Sequence, residues 1–385
     1  MVPSLLAVLA FAGISLSQEP VRDLVSRRLT EYLLPITTQT HEIAHVPGSK
    51  FLLVSQMSNS HLVKIEIDPT TEQPMAYQSF PMGQSNESGL HGLWPSTAFP
   101  GKVWTSLQHE NKLLLIDPGH ATLGDKPTIL RTVDIPKPGN GPHCVFEINS
   151  RLWTGLKDPS PSTGKYYAFS ASLSNTSDWT LYETLPSPVF IQQYPGSETV
   201  YVTQDSASSI MRIDLSSGKT SQMPIPTSVG VNPVGMTTVA TGPLKGLWFT
   251  LAGNATGGTG AFGRITESGE LQFFKLKTPW VAAAGLLHVA DASTEDGGPA
   301  LWLLGTSLLS AASPDALIWV GFDDKGVDVV GEEAVALGSQ GSWAHRVVVL
   351  EKTVVATELG AFTLAQLGYK GTAAGRWLPA VMGSG

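Results

Sequence analysis

The chain has 385 residues, 42% of them hydrophobic and only 15% charged, which excludes a disordered polyelectrolyte and supplies enough apolar side chain for a large core. Its net charge is −8 with no basic run, so nucleic acid is not an expected partner, because phosphate contacts need clustered Lys and Arg. Cys144 is the single cysteine, so no intrachain disulfide forms and packing alone must hold the fold.

In chain order, the first segment holds the apolar run LLAVLAFAGI and then Ser15-Leu16-Ser17, a small-x-small cleavage pattern. It predicts a signal peptide over residues 1–17, and the run is too short to span a bilayer. Three N-x-S/T sequons, at Asn86, Asn175 and Asn254, fall in loop-like stretches and agree with entry into the secretory pathway and glycosylation. Residues 18–385 are expected to form one domain.

That expectation rests on a seven-fold echo with a spacing of roughly 50 residues, the signature of a repeat architecture. Its strongest element is a short strand centred on tryptophan or valine: Leu52 to Gln56, Val103 to Leu107, Leu152 to Leu156, Val200 to Gln204, Leu247 to Leu251, Leu301 to Gly305 and Val354 to Glu358. An apolar strand precedes each of these, beginning at a marker residue: His41, His91, His143, Val189, Val234, His288 and His345. Leu286-Leu287 offers a register one residue earlier for the sixth marker. A third strand follows, as in Leu62 to Asp68 or Lys112 to Asp117, and a weaker fourth, as in Thr132 to Pro136. Four strands per repeat and no helical period predict an all-β, seven-bladed propeller. Either Glu31 to Pro35 or Trp377-Leu378-Pro379 would supply the strand that completes the last blade and closes the ring.

In a propeller the first strand of each blade is innermost and antiparallel to the second, so its start and the end of the second strand lie at one channel mouth. The candidate site therefore combines the markers with the strand-two ends Gln56, Leu107, Leu156, Gln204, Leu251, Gly305 and Glu358. A lone histidine at such a place is ordinarily a structural hydrogen-bonding residue. Five of the nine histidines share this position, which points to proton transfer near neutral pH. His143, His345 and Glu358 are the expected catalytic group; His41, His91, His288, Gln56, Gln204, Val189 and Val234 are expected to bind substrate. The valines and leucines of this ring favour an apolar small molecule. No metal ligand set is assigned and no cofactor is expected, with a divalent cation such as magnesium left open because several imidazoles and a carboxylate could hold one. Cys144, next to an inward residue on a strand, is expected to point out into blade packing, and Lys157-Asp158 to form a loop ion pair.

Asn232-Pro233-Val234-Gly235-Met236, then Gly246 to Thr250, then Gly263 to Glu270 resemble one blade of the streptogramin B lyase propellers, with their P-H-x-I, L-W-F-T-E and I-G-R-I-T rhythm. The resemblance implies seven blades and ring opening of a cyclic depsipeptide by elimination, with rim histidine, glutamate and magnesium. By letter the histidine carries over to His143, and by position to His41, His91 and His345; the glutamate survives only at Glu358, with Leu107, Leu156 and Leu251 elsewhere. As a whole, the leader, sequons and blade rhythm also resemble fungal secondary-metabolite propellers, among them hetero-Diels–Alderases of tropolone–sesquiterpene pathways and the propeller protein of trichothecene clusters. That likeness implies dehydration to a reactive quinone methide and cycloaddition to an apolar terpene. Three functions stand as expectations: such a cyclase first, then a metal-dependent ring-opening lyase, then a non-catalytic binding propeller.

Overall fold

The computed structural model describes residues 29–293 and 298–368. The expected signal peptide and Trp377-Leu378-Pro379 lie outside the described residues. Seven four-stranded antiparallel sheets follow one another in sequence, and among the described residues the only helical pieces are two three-residue 3-10 turns, Gln108–Glu110 and Asp205–Ala207. The all-β, seven-bladed propeller read from the repeat is the fold observed. Leu29–Leu33 pairs with Thr363–Gly368 as the outermost strand of the seventh blade, so the stretch beginning at Glu31 closes the ring.

The Trp-type strands are the second of each blade, and their side chains explain the repeat. Trp104, Trp153, Trp248 and Trp302 are fully buried and fill the wedges between blades. The core is a set of interblade clusters; the one that joins last blade to first packs Leu34, Ile43 and Leu52 against Leu350, Val355 and Leu364. Such burial contributes about 1.5–3 kcal/mol per large apolar side chain and is the main force holding each blade to the next.

Every inner strand carries a one-residue bulge just after its start. Thr40 pairs with Gln56 and Ile43 with Val54, leaving one extra residue between them, and the same slip recurs in all seven blades. A bulge leaves one backbone N–H without its ladder partner. A hydroxyl near the end of the second strand takes it: Ser55 accepts from Glu42 N at 3.0 Å, Ser106 from Gly92 N at 2.8 Å, and Thr203, Thr250 and Thr357 from Phe190, Gly235 and Arg346 at 3.1 Å each. Several of these hydroxyls then donate to the marker carbonyl of the following blade, as Thr203 does to Val234 at 2.8 Å and Thr357 to His41 at 2.6 Å. The hydroxyl thus fixes the backbone of its own bulge and of the next blade's marker together.

Candidate active site

The bulge places two consecutive residues of each inner strand toward the channel, in two tiers. Counting back from the second-strand partner, the upper tier is His41, His91, His143, Val189, Val234, Leu287 and His345. The lower tier is Glu42, Gly92, Cys144, Phe190, Gly235, His288 and Arg346. Leu286 pairs with Gly305, so Leu287 takes the sixth marker place and His288 lies one tier lower. The glycines in the lower tier reflect close approach of blades: a Cβ on Gly92 would lie 2.6 Å from the His143 carbonyl oxygen, and one on Gly235 2.5 Å from that of Leu287.

Four upper-tier imidazoles touch in an arc across the seam between the last blade and the first. Ring centroids are 3.9 Å apart for His345 and His41, 3.8 Å for His41 and His91, and 3.8 Å for His91 and His143. Burial, then the neighbouring positive or protonatable groups, holds His41, His91 and His143 well below the usual imidazole range. His345 is held there too by burial and His41, with the Glu42 carboxylate pulling the other way. Four imidazoles this close stay neutral near pH 7.

Opposite the arc stands an apolar wall. A chamber of about 260 Å³ at the upper mouth is lined by His41, His143 and His345 on one side and by Val189, Val234, Leu287, Leu308, Leu309 and Leu359 on the other. Lys157, Asp205 and Asn232 stand at its edge. Lys157 reaches Asp205 of the next blade at 3.5 Å, so the expected Lys157–Asp158 pair is replaced by an interblade one. Beneath the arc, Arg346 crosses the channel. Its Nε donates to Glu42 Oε2 at 2.6 Å, its Nη2 lies 3.2 Å from Cys144 Sγ, and its guanidinium stacks 4.2 Å from the Phe190 ring. This septum divides the upper chamber from a lower one of about 320 Å³ lined by Trp94, Phe146, Met236 and His288.

The strand-two ends behave differently from the markers. They reach the predicted mouth, but their side chains are spent within the blades. Gln56 donates to the Pro35 carbonyl at 2.8 Å; Gln204 accepts from Leu185 N and donates to Gln222, both at 2.6 Å. Glu358 accepts from Thr363 at 2.6 Å and is fully buried in the seventh blade, while Leu107, Leu156 and Leu251 sit in the interblade core. The carboxylate that meets the imidazoles is Glu42, whose Oε1 lies 3.5 Å from His41 Nδ1. Cys144 is buried as expected, yet it faces the channel contacts of His143 and Arg346, because the bulge interrupts the in–out alternation. Sequence reading also passed over Arg346, Leu308 and Leu309; the Ser or Thr that precedes five of the strand-two ends was the visible trace of the bulge beneath.

Among the described residues, the donor set that the lyase resemblance implies for magnesium is not assembled at the strand-two ends. Magnesium prefers oxygen ligands, whereas the family glutamate is leucine in three blades and, at Glu358, is committed to Thr363. Sequons Asn86, Asn175 and Asn254 are all exposed in loops.

No protein-family model matches the chain, and no curated protein matches it. Among solved structures it is similar to virginiamycin B lyase from Staphylococcus aureus, with TM-score 0.65 and 19% identity over 89% of this chain and 99% of that one. A streptogramin B lyase structure aligns with TM-score 0.63 and 18% identity, over 89% and 97% of the two chains. A chain of the mitotic checkpoint complex aligns with TM-score 0.58 at 9% identity, over 94% and 98%. The class is thus fixed as a seven-bladed β-propeller of streptogramin B lyase-like fold, a fold that also serves in protein assemblies.

Proposed function

We propose that this protein is an enzyme of the secretory pathway that eliminates water from an apolar small molecule and holds the unsaturated product while it cyclises. The observation that carries this reading is the arc of neutral imidazoles facing an apolar wall across one chamber. His345 has an Nδ1 with no hydrogen-bond partner and acts as the base. His143 is the complementary donor. Arg346 donates to Cys144 Sγ, so the thiol hydrogen is left to point at His143 Nδ1, 3.1 Å away, and the imidazole proton resides on Nε2. His345 takes a proton from carbon, the carbon–oxygen bond breaks with the leaving oxygen hydrogen-bonded to His143, and the collected proton departs with that oxygen as water. The apolar wall then keeps the electron-poor product dry beside its terpenoid partner, and holding two reactants in near-attack geometry removes up to ~7–11 kcal/mol of barrier.

The test is to delete the gene, profile the apolar metabolites that accumulate, and add back purified protein. The expected product has the combined mass of the precursor and its terpenoid partner less one water. His345→Ala and His143→Ala are each expected to lower kcat by about 10²–10⁴-fold, the usual contribution of a positioned proton-transfer group. A product isomeric with the precursor would instead establish ring-opening elimination, the second reading, which the lyase-like fold favours. An unchanged profile would establish a binding propeller.

A further inference from the structure

We propose that the lower chamber is a second ligand site, built for one neutral, planar aromatic molecule that carries a carbonyl or other hydrogen-bond-accepting oxygen. The cavity holds about 320 Å³, at the small end of the ~300–1,000 Å³ typical of small-molecule sites. The ends of the inner strands frame its mouth, where His45, Trp94, Pro95, Ala290 and Val349 are half-buried, so it opens away from the imidazole arc.

Its wall is aromatic in a continuous line. Ring centroids are 5.0 Å apart for Trp94 and Phe146, 5.7 Å for Phe146 and Phe190, and 5.6 Å for Phe190 and His288. All four side chains line this one cavity. The last contact spans a whole blade, because the lower-tier residue between Phe190 and His288 is Gly235, which has no side chain to part them. A planar ring laid on this wall makes the offset and edge contacts that aromatic pairs prefer, beyond the gain from buried area alone.

Polar recognition falls to His288. Val347 N donates to its Nδ1 at 3.3 Å. Burial, then the Arg346 charge and His345, holds the imidazole well below its usual range and therefore neutral. The single ring proton is thus on Nε2, which has no hydrogen-bond partner among the described residues. His288 lines the lower chamber and not the upper one, so this N–H is the donor offered to an occupant. Gln192 adds a second donor: Thr238 donates to its Oε1 at 3.0 Å, which leaves the amide nitrogen to donate. Glu42 and Arg346 form the roof and satisfy each other. No uncompensated Asp, Glu, Lys or Arg lines the cavity among the described residues, so a neutral oxygen fits and an anion has no counter-charge. The site stands below the septum, apart from the imidazoles assigned to elimination, and does not rest on that reading.

The test is calorimetric titration of the full chain with methyl naphthyl ketone, alongside ethylnaphthalene, which lacks the oxygen, and methyl octyl ketone, which lacks the rings. One equivalent of the naphthyl ketone is expected in the lower chamber. The other two compounds are expected to bind about 10-fold or more weakly, the effect of one lost hydrogen bond or of the lost aromatic contacts. Thr237→Trp, which puts an indole at a half-buried lining position, is expected to abolish that equivalent. Leu309→Trp, at an exposed position on the upper chamber, is expected to leave it. His288→Phe is expected to weaken the naphthyl ketone to the level of ethylnaphthalene. The two compounds compared on the unaltered chain ask the same question should that variant fail to fold. No saturable binding, equal affinity for the three compounds, or an equivalent that survives Thr237→Trp would overturn the proposal. Turnover is not read in this experiment, so the site and the elimination mechanism fail separately.

Discussion

Replacing Arg346 by methionine is expected to destabilise the protein by about 3–5 kcal/mol, the cost of leaving one partner of a buried ion pair alone. Arg346 and Glu42 are 7% and 3% exposed, and the guanidinium also contacts Cys144 Sγ and the Phe190 ring. Methionine keeps much of the apolar stem and removes the charge, so Glu42 would have to stay ionised without a partner or take up a proton. The double change Glu42→Gln/Arg346→Met is expected to recover most of the loss, because residues in direct contact couple strongly. Urea unfolding of the two variants and the parent measures this. A single-variant loss below about 1 kcal/mol, with no recovery in the double, would mean that the septum is not held by charge.

The second large effect belongs to Glu358, and its sign is set by burial. Burial pushes its carboxyl up from 4.5 to about 7, helped by the Glu31 and Asp315 carboxylates and opposed by the hydrogen bond from Thr363. The folded state thus holds the proton more tightly than the unfolded chain. The stability this proton contributes is fully present below pH ~4.5 and is lost as pH rises through about 7. At about 1.4 kcal/mol per pH unit, the loss comes to about 3 kcal/mol. Glu358→Gln, which keeps an oxygen for Thr363, is expected to match the parent near pH 4.5 and to melt higher at pH 8. Parallel melting curves across that range would refute the account. The same variant separates structure from chemistry: turnover is expected to survive it, whereas a rim base at this position would take turnover with it.

Much of the architecture was legible because the interblade wedges demand the same residues each time. Trp104, Trp153, Trp248 and Trp302 recur at one place in the second strand, and four histidines recur at the start of the first. The lower tier was hidden for the opposite reason. Its members, Glu42, Gly92, Cys144, Phe190, Gly235, His288 and Arg346, share no chemistry, and a one-residue bulge needs neither glycine nor proline to mark it. Period-two alternation therefore sent Cys144 outward, and it gave no reason to look at Glu42 or Arg346. Glu358 was chosen for its place at a strand end. Its direction is decided by Thr363 on the neighbouring strand, a contact that strand order alone does not reveal. The slip at Leu286 and Leu287 had the same origin, since the two candidate registers differ by the width of the bulge.

Leu29–Leu33 is held in the last blade by Thr363–Gly368, and the first contact of the imidazole arc, between His345 and His41, crosses the same join. The imidazole arc and the clasp of the ring are thus one locus. Synthesis delivers His41 early and His345 near its end, so the arc is completed only when the newest strands meet the oldest, a long-range closure of the slow kind. A complete arc is in this way a certificate of closure. A chain stalled with six blades formed would already look folded along most of its length, yet its arc would stop at His41 and lack His345.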